Sequence, residues 1–199
     1  SPVLCSVRLV IDASFCAAPR RAGEARNGQS VRVMRVRRLG SEDISLVAAI
    51  DRSEHIRQQY ESRGGALELV EVDIRAPRWG EPGGHSVEHC IASWKPLLDA
   101  GGVLLGAFDG DRFVGFAIHQ PFLSEGVANL AVLHVTRTYR RRGIGCALAN
   151  EVVRLARADG ARRLYVSATP TRATVDFYLK QGFEPLAVPN ERLFALEPD

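Results

Sequence analysis

The chain has 199 residues, 46% of them hydrophobic and 25% charged, with a formal net charge of +3 at pH 7. That is enough for one well-buried core, and the balance is that of an ordinary soluble globular domain. No apolar run approaches the roughly 20 residues that span a bilayer, and the N-terminus lacks a basic, apolar and small-residue leader, so a cytoplasmic setting with no membrane partner is expected.

The charge is unevenly spread. Eight arginines against two acids make residues 1–40 net +6, which leaves 41–199 at −3. No basic stripe with interleaved aromatics follows the leading segment, and nucleic acid is not expected as a partner. Cys5, Cys16, Cys90 and Cys146 show no Cys-x-x-Cys spacing; free thiols and no metal are expected.

Residues 1–33 read as an N-terminal extension that the core need not include, although residues 3–11 are apolar enough to form a strand. The only methionine, Met34, opens a strand-like stretch over 34–39, and residues 17–30 have the small, polar, arginine-rich composition of a linker. The domain is expected over 34–199, and a chain beginning at Met34 is expected to fold. Ser41 reads as the cap of a helix over 42–51, followed by a second helical run over 53–62 that Gly64-Gly65 ends. A strand-like segment over 66–74, a Pro/Gly-rich loop over 76–84 and a helix over 86–99 come next. Strands over 103–108, 113–122 and 127–135 form a meander, its first turn marked by Asp109-Gly110. Ile144, Leu148, Val152 and Leu155 recur at helical spacing until Gly160. A buried strand over 164–168, a helix over 171–181 ending at Gly182, and strands over 184–188 and 192–196 complete the chain.

The most informative stretch is Arg140-Arg141-Arg142-Gly143-Ile144-Gly145, which joins the strand ending at Val135 to the helix that begins at Ile144. Two glycines let a ligand approach the backbone, the first helical turn offers unpaired N–H groups and the positive end of a dipole, and three arginines add charge. The junction is suited to phosphate.

The element order is α/β with a mixed sheet. Together with Leu133-His134-Val135, the hexapeptide at 140–145 and Phe177-Tyr178-Leu179-Lys180-Gln181-Gly182-Phe183, it resembles the GNAT superfamily of acetyl-CoA-dependent N-acetyltransferases over about residues 34–196. The resemblance implies a mixed, mostly antiparallel sheet flanked by helices and splayed between the strands near 128–135 and 163–168. It implies acetyl-CoA as co-substrate and an amine as acceptor. The coenzyme is expected to lie against Leu133, His134 and Val135, with its pyrophosphate on Arg140, Arg141, Arg142, Gly143, Ile144, Gly145 and Cys146. Tyr178 is expected to protonate the departing thiolate. Thr171 stands where many relatives carry a coenzyme-contacting asparagine.

The proton acceptor is less defined. Asn129 aligns with a glutamate of many relatives and cannot serve as a base, which leaves Glu125, His119 and His134 as substitutes, with His55, His85 and His89 farther away and a chain of water to bulk solvent as the alternative. Residues 55–95 are expected to shape the acceptor pocket. There Glu61, Glu68, Glu71, Asp73, Glu81 and Glu88 would attract a cationic amine, and Trp79 and Trp94 would wall it. The acceptor's identity and a homodimer stay open. A non-catalytic acyl-CoA-binding or regulatory module is the alternative; a dinucleotide site is disfavoured because the glycine motif lacks its third glycine and no Gly-Lys-Ser/Thr follows.

Overall fold

The computed structural model describes residues 6–13, 34–63, 66–82 and 86–186. The expected strand over 192–196, residues 187–188 of the one expected over 184–188, His85, Cys5 and Cys16 lie outside the described residues. The strands are β1 (Val7–Asp12), β2 (Met34–Leu39), β3 (Glu54–Arg63), β4 (Ala66–Ala76), β5 (Val103–Asp109), β6 (Arg112–Ser124), β7 (Val127–Val135), β8 (Arg163–Ala168) and β9 (Glu184–Pro185). The α-helices are α1 (Val87–Asp99), α2 (Ile144–Ala158) and α3 (Arg172–Lys180), with 3-10 helices at Ser41–Ala49 and Arg137–Tyr139. A seven-stranded sheet runs in the order β2-β5-β6-β7-β8-β1-β9, and β3 and β4 pair by themselves.

The sheet is antiparallel except for β7 and β8, which pair in parallel because α2 carries the chain back between them. The interior strand β6 is buried on both faces, and each face has its own core. On one, Ile144, Leu148, Val152 and Leu155 of α2 and Val175 and Tyr178 of α3 cover Leu130, Leu164 and Val166. On the other, Ile44, Val47 and Ile50, with Leu98 of α1, cover Leu104, Phe116, Ile118 and Val132. The α1 helix starts as its sequence predicts: the Ser86 hydroxyl accepts the His89 N–H at 3.1 Å.

Three elements differ from the sequence reading. Residues expected as a first helix form a 3-10 helix, capped at Gly40, whose N–H donates to Asp43 Oδ2 at 3.2 Å. The expected second helix over 53–62 is strand β3. Its glutamate, arginine and glutamines favour helix locally, but β4 alternates with period two and supplies a partner, pairing Ile56 with Ile74 and Tyr60 with Leu69.

The third difference concerns the leading segment, expected to stand apart from the core. Strand β1 lies inside the sheet, registered against β8 from Val7↔Ala168 to Asp12↔Arg163, and β9 pairs along its other edge. Val7, Leu9 and Ile11 are 1%, 0% and 4% exposed and belong to the α2/α3 core. Their period-two alternation is the signal that outweighs the linker composition after them.

Candidate active site

Strands β7 and β8 hold together for only three residue pairs, Val127↔Arg163, Ala128↔Leu164 and Asn129↔Tyr165. Just beyond, Ala131 is bulged: Ile118 pairs with Val132 and His119 with Leu130, leaving Ala131 without an opposite residue on β6. A bulge bends its strand and sharpens the local twist, and here the bend coincides with the point where β7 leaves β8. From Leu130 to Val135 β7 is paired to β6 alone, and from Val166 to Ala168 β8 is paired to β1 alone. Two strand edges therefore face each other across a slot able to accept one extended chain. The expected splay is present.

A cavity of about 620 Å³ occupies this slot. Its lining comes from both faces of the sheet: Thr174, Phe177 and Tyr178 on the α3 side, and Trp94 and His134 on the α1 side. The β3/β4 hairpin closes it with Glu54, Ile56 and Ala76. That hairpin is fastened to the end of β8 and to α3: Tyr60 N–H donates to Pro170 O at 2.8 Å, Tyr60 Oη to Asp176 Oδ1 at 2.9 Å, and Arg172 Nη1 to Gln58 Oε1 at 2.5 Å.

At the mouth, the turn before α2 is built by two left-handed residues, Arg141 at φ 63° and Gly143 at φ 82°. The first helical N–H to find a carbonyl is that of Ala147, on Gly143 O at 3.0 Å. The amides of Ile144, Gly145 and Cys146 thus have no partner within the helix and carry its positive end. A Cβ on Gly145 would lie 3.3 Å from the Phe177 ring, so glycine keeps that wall thin.

The candidate coenzyme residues divide. Leu133, His134, Val135, Arg140, Arg141, Gly145, Thr171 and Tyr178 line the cavity, whereas Arg142, Gly143, Ile144 and Cys146 do not. Ile144 is a core residue, and Arg142 stacks over the Tyr139 ring, 4.7 Å from its centroid. Arg140 is held in place, donating to Glu54 Oε2 at 3.1 Å, Arg52 O at 3.1 Å and Val135 O at 3.3 Å. It works as a clamp more than as a free phosphate cation. Thr171 caps α3, its hydroxyl accepting the Thr174 N–H at 3.2 Å.

The candidate catalytic residues divide as well. Tyr178 is buried and faces the cavity between Phe177 and Phe183. Burial raises its phenol pKa well above the usual value, so the proton stays on oxygen at any working pH. His134 lines the cavity from β7, among the rings of Trp79, Trp94 and Phe116 at 5.9, 6.4 and 5.5 Å. Burial, then the charges of Arg52 and Arg140, lower its pKa to about 4, and the ring is neutral at pH 7.

His119 and Glu125 do not join them. His119 is fully buried on the α2 side, its Nε2 2.7 Å from Asp159 Oδ2 beyond the end of that helix. Glu125 is exposed in the β6–β7 turn, at the end of β7 where the strands are still paired. Asn129 is buried, donating to Gln120 Oε1 at 3.2 Å.

The acceptor wall also differs from its expectation. Among Glu61, Glu68, Glu71, Asp73, Glu81 and Glu88, none lines the cavity. Asp73 faces His55 across the hairpin, Glu71 accepts from Gln58, and Glu81 accepts the Arg78 N–H. Trp94 does form wall, with Trp79 set edge-on behind it at 6.1 Å. Two polar lining residues, Arg52 and Glu54, had no local signal, because they reach the site through non-local packing, Glu54 on the hairpin and Arg52 on the loop before it, which is bonded to the residues after β7. No group of three or more histidine, cysteine or acidic side chains suited to a metal occurs among the described residues, and Cys90 and Cys146 are free.

This split sheet, with a helix N-terminus at the mouth of its slot, defines an acyltransferase-type fold. A sequence profile of the acetyltransferase (GNAT) family matches residues 68–183, and the chain belongs to that family. A nourseothricin acetyltransferase is similar in structure, with a TM-score of 0.58, 17% identity, and coverage of 74% of this chain and 81% of that one. A protein from Bacillus anthracis str. Ames, solved in complex with acetyl coenzyme A, gives 0.60, 16%, 76% and 85%. A GCN5-related N-acetyltransferase from Sphaerobacter thermophilus gives 0.52, 17%, 91% and 48%. At these identities the likeness is one of fold. No curated protein sequence matches the chain.

Proposed function

We propose that the protein is an acetyl-CoA-dependent N-acetyltransferase that moves an acetyl group to a primary amine by direct attack on the thioester. The observation that carries this reading is the slot itself. Two unpaired strand edges run from a set of unbonded helix amides to a cavity lined from both faces of the sheet. A thioester and an amine can then meet inside the sheet from opposite sides.

The residues fit the coenzyme. The amides of Ile144, Gly145 and Cys146, with Arg141, receive the pyrophosphate, and the β7 edge at Leu133 and Val135 pairs with the pantetheine amides. A backbone N–H of that edge stabilises oxyanion charge. Tyr178, held as a neutral phenol, donates its proton to the leaving sulfur. Neutral His134, which lines the cavity beside the proposed thioester position, accepts the proton of the attacking amine. Asn129 is turned away on Gln120, so the absence of a carboxylate there removes nothing from the cavity. The unit that does this extends beyond 34–199 to include β1.

The test is thiol release from acetyl-CoA with a panel of primary amines, alongside calorimetric titration of acetyl-CoA. Binding with amine-dependent release supports the transferase; binding with silence across every amine favours a non-catalytic acyl-CoA sensor.

A further inference from the structure

Arg52 is the charged group of the site that nothing above employs. It follows the 3-10 helix, in the loop 50–53 that is pinned to the end of β7: Asp51 N–H donates to Thr136 Oγ1 at 3.1 Å and Arg137 N–H to Asp51 O at 2.9 Å. The backbone is therefore fixed, and the side chain lines the cavity with its guanidinium carbon 4.7 Å from the centre of the Trp79 ring. No carboxylate among the described residues pairs with it. The neighbouring acids are committed elsewhere, Asp51 to Ser53 and Arg78 and Glu54 to Arg140. Trp79 Nε1, in the same cluster, is buried without a hydrogen-bond partner.

The charge of the lining has a sign. Arg52, Arg140 and Arg141 stand against one acid, Glu54. Arg141 lies at the phosphate cradle and Arg140 is clamped, which leaves Arg52 as a positive charge on the α1 side, beside His134 and Trp94. A polycationic acceptor would meet repulsion there, since like charges brought together at a partly dry site cost far more than in water. A guanidinium stacked on an indole is instead oriented, with its N–H fork free to take a carboxylate in two parallel bonds.

We propose that the acceptor is a small primary amine that also carries a carboxylate, an amino-acid-type substrate whose anionic group is held by Arg52. This rests on the transferase reading above and names the substrate class of the same site. Neutralising Arg52 with a substrate carboxylate also removes a positive charge near His134, making that ring a better proton acceptor only when the correct amine is bound. The reaction balances: the ammonium sheds one proton to solvent, the amine nitrogen forms the amide bond as the thioester bond breaks, a second proton passes from nitrogen to His134, Tyr178 protonates the leaving thiolate, and the proton on His134 then restores the phenol.

The experiment is thiol release from acetyl-CoA by the full chain with free amino acids, their methyl esters and spermidine, for the parent, Arg52→Gln and Arg52→Lys, with acetyl-CoA affinity of each measured by calorimetry. Expected are a preference of about tenfold or more in kcat/KM for an amino acid over its ester, and a rise of about 10–100-fold in KM for the amino acid alone in Arg52→Gln. Arg52→Lys should restore part of the preference, and acetyl-CoA affinity should stay within about twofold throughout. Esters or spermidine turned over as well as the amino acid, an equal loss for both in Arg52→Gln, or a silent panel with acetyl-CoA bound would overturn the proposal. Failure of the parent to bind acetyl-CoA would instead sink the transferase reading on which it stands.

Discussion

Arg140 Nη1 lies 3.1 Å from Glu54 Oε2, and the same guanidinium reaches the carbonyls of Arg52 and Val135. One side chain thus joins the turn before α2, the end of β7 and the start of β3, three pieces that border the cavity. Both partners are about one-third exposed or less, so the ion pair is partly screened and the carbonyl bonds matter as much. Arg140→Ala should lower stability by about 1–2 kcal/mol in urea unfolding. Arg140→Lys should recover little of it, because an ammonium cannot span three acceptors with a rigid fork.

The acid role proposed for Tyr178 rests on its hydroxyl alone. Tyr178→Phe keeps the ring packed against Phe177 and Phe183 and should leave acetyl-CoA affinity within about twofold while lowering kcat by about 10²-fold. Because burial holds the phenol protonated, the parent's rate should show no fall from this group below about pH 10. Steady-state kinetics and calorimetry on the pair check both statements; equal turnover removes the assignment.

His134 links the site to the acid stability of the whole chain. Its folded pKa of about 4 lies below the ordinary 6.5, so under acid conditions the unfolded chain takes up a proton that the folded one refuses. Stability should therefore be full above pH 6.5 and fall as the pH drops from there towards 4, by about 2–3 kcal/mol from this residue. His119 is lowered in the same direction, by burial that outweighs its bond to Asp159, and adds to the slope. Urea melts of the parent and His134→Gln between pH 7 and 4.5 should show a shallower decline in the variant.

Strand β1 fills the place between β8 and β9, so removing residues 1–33 strips both neighbours of hydrogen-bond partners and exposes the α2/α3 core. Such a chain should fail to give a cooperative thermal transition. Leu9→Ala in the full chain, at a position that is 0% exposed, should cost about 2–5 kcal/mol by denaturant unfolding.

The parts legible in the sequence are those in which local pattern and tertiary role agree. The β5–β6–β7 meander, α2 with its glycine turn, β8 and α3 all declare themselves through periodicity and punctuation, and with them come the slot and Tyr178. The hairpin did not, because Glu54–Arg63 is rich in helix formers and becomes a strand only through β4. That one exchange hid Glu54 and misplaced the acids of β4, none of which lines the cavity. His119 and Glu125 are near the motif in sequence, yet His119 belongs to the α2 face and Glu125 to the paired end of β7. Proximity along a strand says little about proximity to a gap that opens at only one end of it.

A crystal structure of the complex with acetyl-CoA tests the central claim most directly. The account predicts the pyrophosphate on the amides of Ile144, Gly145 and Cys146, and the pantetheine arm extended between Leu130–Val135 and Val166–Ala168 with the thioester facing Tyr178 and His134. Coenzyme bound elsewhere on the surface, or β7 and β8 paired along their full length with no space between them, would contradict it.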